Sequence, residues 1–270
     1  MRKTIKRIKG LFIRPKIVKA NIFYTQPGHR LAGKRIIVTG GTGALGEAMA
    51  RRFVAEGANV LITGRNEEKL SKISHEIGCD MLLHDITETA SFKPFVAKAI
   101  EILGGIDCLV NNAGISLHES FQKVTVEGFD KQIATNLRGP FFLAQNVLSY
   151  MQVNNIKGQV LFVSSETGET ADIRPYGITK AAINSLVKGL AYLFLKDEIR
   201  INAIAPGVTA SGMTGIGEDN LYCSYNPNGR AYLPDEMAEV ATFLLSDASG
   251  CVSGQILTCN NGKTINARWK

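Results

Sequence analysis

Tyr176 and Lys180, in Tyr176-Gly177-Ile178-Thr179-Lys180, are side chains of types and spacing that could move a proton. Four residues apart, they fall on one face of a helix, one turn from each other. A phenol titrates at about 10, too high for exchange at neutral pH, and a nearby ammonium favours its phenolate. Tyr176 could then give a proton to a carbonyl oxygen or take one from an alcohol. Eleven residues upstream, Ser165 ends an apolar run and could hydrogen-bond the same oxygen as charge develops on it. Ser164 competes for that role, but strand alternation turns it to the opposite side, which favours Ser165. As an isolated pair, Tyr176 and Lys180 also fit one face of an ordinary amphipathic helix.

A second group of residues suits an anionic ligand. Thr39-Gly40-Gly41-Thr42-Gly43-Ala44-Leu45-Gly46 joins an apolar run to a helical segment. Glycines there permit a tight turn and close backbone approach to a pyrophosphate, whose charge the helix N-terminus stabilises. The plain alternative is a structural turn. Where dinucleotide folds read the ribose, at the end of the second strand, the chain has Thr63-Gly64-Arg65-Asn66 and no acid until Glu67. A basic residue suits a 2′-phosphate, so Arg65 favours NADP, with NAD the alternative. Otherwise Arg65 is a solvated loop charge.

The elements that must position these residues alternate. Apolar runs at 35–39, 59–63, 80–84, 106–110, 158–163, 199–205 and 255–258 read as strands. Helical patterns at 44–56, 67–77, 92–103, 129–151, 176–196 and 234–245 separate them. Strands apolar at every position are buried on both faces, which predicts a parallel sheet covered by helices. Right-handed crossovers then make a doubly wound α/β sheet of about seven strands, a Rossmann-type fold. With no linker after Lys34, the expected organisation is a basic extension over 1–33 and one domain over 34–270.

Composition narrows the function classes. The 270 residues are 45% apolar and 20% charged, as in a globular protein, and no stretch approaches the roughly 20 apolar residues of a membrane span. Of 31 Lys and Arg, ten fall in the first 34 residues, which hold no acid; the rest of the chain carries 21 basic against 24 acidic residues, a balance of −3. A body of that sign is a poor nucleic-acid binder. The five cysteines are scattered, with no disulfide framework and no zinc spacing, so no metal is expected and a reducing, cytoplasmic location fits.

Further motifs complete a recognisable set. They are Asp85 after the third strand, Asn111-Asn112-Ala113-Gly114 after the fourth, Asn136 in Asn136-Leu137-Arg138-Gly139, and Pro206-Gly207-Val208-Thr209 after the sixth. Together with the glycine turn, Ser165, Tyr176 and Lys180, in this order, the chain from about Lys34 to Asn266 resembles the short-chain dehydrogenase/reductase family, in its single-domain branch. The resemblance implies an NADP-dependent oxidoreductase acting on a small carbonyl or alcohol, with Asn136, Ser165, Tyr176 and Lys180 catalytic. It implies that Lys180 also holds the nicotinamide ribose and that Asn136 supports a water-mediated proton relay. Cofactor contacts implied are Gly40, Thr42, Gly43, Ala44, Leu45 and Gly46 of the glycine turn, Arg65, Ala113, Tyr176, Lys180, Pro206, Gly207 and Val208, with Asp85 and Ile86 near the adenine, Asn112 and Gly114 flanking the adenosine ribose, and Thr209 reaching the carboxamide. Asp85 also fits a helix N-cap, and Asn136 a helix-bending position. The family implies a homodimer or homotetramer built through its long helices.

The chain departs from the family pattern in places. Ala44 stands where the second glycine is usual, and the spacing Gly40, Gly43, Gly46 resembles the extended branch. The stretch between Ser165 and Tyr176 is short and carries Glu166, Glu169, Asp172 and Arg174. The loop from Ala210 to about Asn228 is small and polar, with Tyr222 and Tyr225 as candidate walls and His118 read as a solvated loop residue. A hydroxylated substrate, a sugar or polyol, is expected over a steroid or long acyl chain. The alternatives are a 3-oxoacyl reductase of lipid synthesis and a nucleotide-sensing protein with little turnover. The residues up to His29 lie outside the resemblance. Their cations with Ile5, Ile8, Leu11, Phe12 and Ile13 fit peripheral contact with anionic membrane, while a disordered tail or an arm packed on a neighbouring subunit is favoured.

Overall fold

A computed structural model describes residues 16–20 and 28–265. Seven strands form one parallel sheet in the order β3-β2-β1-β4-β5-β6-β7. They are β1 (Arg35–Thr39), β2 (Asn59–Gly64), β3 (Asp80–Leu83), β4 (Cys108–Asn111), β5 (Gln159–Val163), β6 (Arg200–Pro206) and β7 (Ile256–Cys259). The helices are α1 (Ala44–Ala55), α2 (Glu67–Ile77), α3 (Phe92–Leu103), α4 (Val126–Ile133), α5 (Gly139–Val153), α6 (Pro175–Leu193) and α7 (Pro234–Leu245). The chain winds outward from β1 to β3, then returns to lay β4 against the other side of β1. That reversal opens a crevice at the carboxyl ends of β1 and β4, where open α/β sheets bind ligands.

Strand pleating splits the core in two. Ile36 and Val38 of β1 face Met49, Phe53, Met237 and Ala241 of α1 and α7. Ile37 between them faces the layer of α3, α5 and α6, with Phe95, Val147 and Ile183. Apart from Arg35, burial on both faces is complete for β1, β4 and β5, while edge strand β3 is exposed at both ends and half-buried between them, and edge strand β7 is half-buried throughout. Apolar composition alone does not distinguish a central strand from an edge.

Local chemistry sets the helix ends. Asn66 caps α2 by accepting from the Lys69 N–H at 2.8 Å, and Gly78, at φ +74°, ends it in the left-handed conformation. Pro175 and Pro234 start α6 and α7, where a missing N–H is harmless. The expected helix over 129–151 is interrupted: α4 passes through a π turn, Ala134–Arg138, before α5 begins.

Residues 28–33, grouped above with the extension, pack on the body. Leu31 is fully buried, and Gly28 and Arg30 donate their backbone N–H groups to Glu56 Oε2, each at 3.0 Å. Val18 lies beside the loop after β6, accepting from the Leu221 N–H at 2.9 Å. Residues 5–13, considered above for membrane contact, lie outside the described residues. Among the described residues no helix is long and apolar enough to cross a membrane.

Candidate active site

The crevice is a cavity of 560 Å³ lined by the loops that follow β1 to β6 and by the start of α6. Every residue expected to contact the cofactor lines it, as do Ser165, Tyr176 and Lys180; Asn136 lies outside the lining.

The glycine turn has one glycine of a different kind from the others. Gly40 needs its freedom, with φ at +66° and only 2.9 Å between a hypothetical Cβ and Ala113 Cα. A Cβ on Gly46 would run into the Gly40 carbonyl oxygen. Gly43 has ordinary extended angles, φ −90° and ψ 156°, and a Cβ there would meet only Gly40 O at 3.5 Å. Nothing within the protein requires a glycine at 43, and its open side is the cleft. Gly43 is also the N-cap of α1 and offers no side-chain oxygen, so the first-turn N–H groups lack a side-chain cap. Room for close approach beside an uncapped helix N-terminus fits a pyrophosphate. The Asn112 amide supports the turn from β4, donating to Thr39 O at 2.9 Å and Gly40 O at 3.1 Å. Its backbone N–H donates to the Thr39 hydroxyl at 3.0 Å as well, so the residue shapes the turn through both side chain and backbone.

At the far end, Arg65 extends from β2 with its guanidinium 3.7 Å from Asp85 Oδ2. Asp85 Oδ1 accepts from the Thr87 N–H at 2.9 Å and the Thr87 hydroxyl at 2.8 Å, closing a local turn; it is not the helix N-cap it also fits in sequence, because the helical turn that follows starts at Thr89 with Glu88 at its N-cap. Burial pushes the Asp85 carboxyl up, but these bonds and the Arg65 charge outweigh it and hold it below its ordinary value. His84, which sequence reasoning did not single out, also lines the cleft. Its ring stacks on Phe92 at 5.3 Å between centroids, and burial keeps its proton affinity low. Its place just before Asp85 at the end of β3 was the available signal.

At the other end three side chains converge. Lys180 Nζ lies 5.5 Å from the centre of the Tyr176 ring and donates to Val163 O at 2.7 Å. Burial lowers the Lys180 ammonium to about 8. Ser165 accepts from the Thr167 N–H at 3.3 Å and contacts Tyr176 through its hydroxyl. Ser164 turns away and donates to Asn184 Oδ1 at 2.6 Å. The expected depression of the Tyr176 phenol is not what the site shows. Burial raises it, and the Ser165 hydrogen bond and the Arg174 charge only partly offset that rise. The ammonium is engaged by the Val163 carbonyl, and desolvation of the phenolate is the larger effect.

Asn136 sits in the π turn, fully buried, bonded through both amide atoms to the backbone of Ile115 at 2.8 and 2.9 Å. It therefore fixes the loop after β4 from behind. Arg174 borders the cleft beside Tyr176, bound to Asp172 by Nε at 2.9 Å and Nη2 at 2.5 Å. Gly177 leaves the space that this aspartate fills. His118 is exposed but tethered, its Nε2 2.9 Å from Met213 O across the cleft mouth. The outer wall is Ser211, Gly212, Met213 and Thr214. The candidate walls Tyr222 and Tyr225 are exposed and lie outside the lining, the Tyr222 ring facing Lys16.

A family model described as enoyl-(acyl carrier protein) reductase matches residues 41–264. Glucose 1-dehydrogenase of Gluconobacter oxydans is 34% identical over 253 residues, covering 87% of this chain and 94% of that protein. The 3-oxoacyl-(acyl-carrier-protein) reductase FabG of Aquifex aeolicus is 30% identical, covering 86% and 98%. Among solved structures, 3-ketoacyl-(acyl-carrier-protein) reductase from Brucella melitensis, complexed with NADH, superposes with a TM-score of 0.81 at 29% identity, over 87% of this chain and 100% of that one. Matches of this extent show that the chain belongs to the short-chain dehydrogenase/reductase family of NAD(P)-dependent oxidoreductases, which interconvert carbonyls and alcohols.

Proposed function

We propose that the protein is an NADP-dependent reductase or dehydrogenase of a small hydroxylated substrate, with Tyr176 as its acid–base group. The observation that carries this reading is the convergence of Ser165, Tyr176 and Lys180 at one end of a cleft whose other end holds the glycine turn. When bound, the nicotinamide supplies or takes the hydride. The Tyr176 hydroxyl donates its proton to the carbonyl oxygen during reduction, becoming a phenolate, and in oxidation the phenolate takes the proton from the alcohol. A phenol kept protonated by burial suits the first direction. Ser165 hydrogen-bonds the same oxygen, and Lys180, anchored on Val163, presents its remaining N–H donors to the nicotinamide ribose. Asn136 contributes by holding Ile115, and Arg65 by pairing with a 2′-phosphate.

The lining of Ser116, His118, Ser211 and Thr214, polar groups set beside the apolar Ile115, Val208 and Met213, supports a polar substrate. Similarity to acyl-carrier-protein reductases favours a 3-oxoacyl thioester as the second reading. NADPH and NADH oxidation over a panel of sugars, polyol ketones and acetoacetyl thioesters decides between them, with Tyr176→Phe as control. Turnover of thioesters alone refutes the polar-substrate reading, and no turnover of any carbonyl leaves a nucleotide sensor.

The exposed Phe141 and Phe142 of α5, beside a groove bordered by Ala182 and Leu186 of α6, support a homodimer or homotetramer through these helices. Light scattering tests this. Scattered free cysteines support a reducing, cytoplasmic location. For the basic tail a disordered or packed arm is the first reading and contact with anionic membrane the alternative; liposome sedimentation at low and physiological salt, with and without residues 1–19, decides.

A further inference from the structure

Glu166 follows Ser165 in the chain, and only 8% of it is exposed, at the edge of the cleft. Its Oε1 accepts from Lys263 Nζ at 2.5 Å and its Oε2 from Asn260 Nδ2 at 3.1 Å. Both partners belong to the segment after β7. A Cβ on Gly207 would come within 3.2 Å of Glu166 Oε2, so the carboxylate also lies against the loop after β6. One side chain thus joins the loops following β5, β6 and β7 around the catalytic end of the cleft. Stability gives little reason for such a pair, because apolar replacements of buried ion pairs are often neutral or stabilising. Proton transfer through Tyr176 makes no direct use of it either.

We propose that Glu166 and Lys263 are a positioning pair for Tyr176, the carboxylate holding the Ser165 loop against the phenol and setting the electric field there, the ammonium moderating that field. This rests on the reading of Tyr176 as the acid–base group. The groups that face the phenol are Ser165 and Glu166 from the loop after β5, Arg174 from the loop before α6 and Lys180 from α6 itself. Among them Glu166 strengthens the phenol's hold on its proton, and Arg174 weakens it. Removing the Glu166 charge therefore eases ionisation of Tyr176, whereas removing Lys263 leaves the carboxylate unmoderated and hinders it.

The test is ultraviolet difference titration of the Tyr176 phenolate in the full chain, with Tyr176→Phe as the subtraction, alongside the pH profile of turnover. Glu166→Gln is expected to move the Tyr176 midpoint down by about half a pH unit, and Lys263→Gln to move it up by a similar amount. Opposite signs are the signature, because a purely structural latch is broken alike by either change. Shifts of the same sign, or no shift in either variant, overturn the proposal however much rate is lost. If Glu166→Gln does not fold, Lys263→Gln decides alone: a midpoint that is unchanged or lowered overturns it. Absence of turnover in the unmodified protein would defeat the proposed reaction instead, and the titration would still decide the role of the pair.

Discussion

Lys180 Nζ donates to the carbonyl oxygen of Val163, the last residue of β5, at 2.7 Å. The next two residues are Ser164 and Ser165, so one hydrogen bond sets the register between the strand that delivers the serine and the helix that delivers Tyr176. Burial with that carbonyl for company is costly for an ammonium, and it accounts for the lowered affinity of Lys180 for its proton.

Lys180→Met should raise stability while removing activity. The folded Lys180 titrates at about 8, below the roughly 10.4 of an unfolded chain. Below pH 8 both states carry the proton and the penalty is complete; between there and about 10.4 the unfolded state binds more protons, so the unmodified protein gains stability as pH rises. The variant lacks this dependence. Thermal melts at pH 7 should show it more stable by about 2–3 kcal/mol, with the gap narrowing toward pH 10, while turnover falls about 100-fold or more.

The two serines should separate cleanly. Ser165→Ala should lower kcat about 100-fold with little change in melting temperature. Ser164→Ala removes the bond to Asn184 instead, and should lower stability by about 1 kcal/mol with kcat within a few-fold. Equal kcat losses in both variants would contradict the division.

Gly43→Ala and Gly46→Ala test which glycines serve the fold and which the ligand. Gly43→Ala should change stability by less than about 0.5 kcal/mol yet weaken binding of NADPH about 10-fold, because its Cβ enters the cleft. Gly46→Ala should unfold or grossly destabilise the protein, because its Cβ meets the Gly40 carbonyl. Denaturant melts and coenzyme titration by fluorescence read both.

Arg65→Gln should weaken NADPH binding about 10- to 100-fold and leave NADH within about 3-fold, since only the former carries the 2′-phosphate. Added salt should narrow the difference, the guanidinium being largely exposed.

Glu56→Gln should cost about 3 kcal/mol at pH 7. Burial works against the Glu56 carboxylate, but its bonds to Arg30 and to the Gly28 N–H hold it at about 2. A depressed carboxyl stabilises the fold above its unfolded value, about 4.3, and that contribution disappears as pH falls toward 2. Urea midpoints of the variant and the unmodified protein should therefore converge across that window.

Spacing along the chain was enough to identify the alternating α/β architecture, the glycine turn after β1 and the Tyr176–Lys180 pair, because each depends on periodicity or on neighbours within one turn. Residues that act through distant partners were not legible. Glu166 read as one of four loop charges until Lys263, nearly a hundred residues later, was found against it. His84 was marked only by its place before Asp85 at a strand end, Tyr222 and Tyr225 had the right chemistry but lie outside the cleft lining, and the π turn at Asn136 has no apolar period to announce it. The direction in which Tyr176 shifts was likewise decided by folding, since local sequence reports the nearby ammonium but not the burial that outweighs it. Desolvation is a property of the assembled interior: it depends on which parts of the chain close over a side chain, and at Tyr176 these include the loop after β5 as well as its own helix.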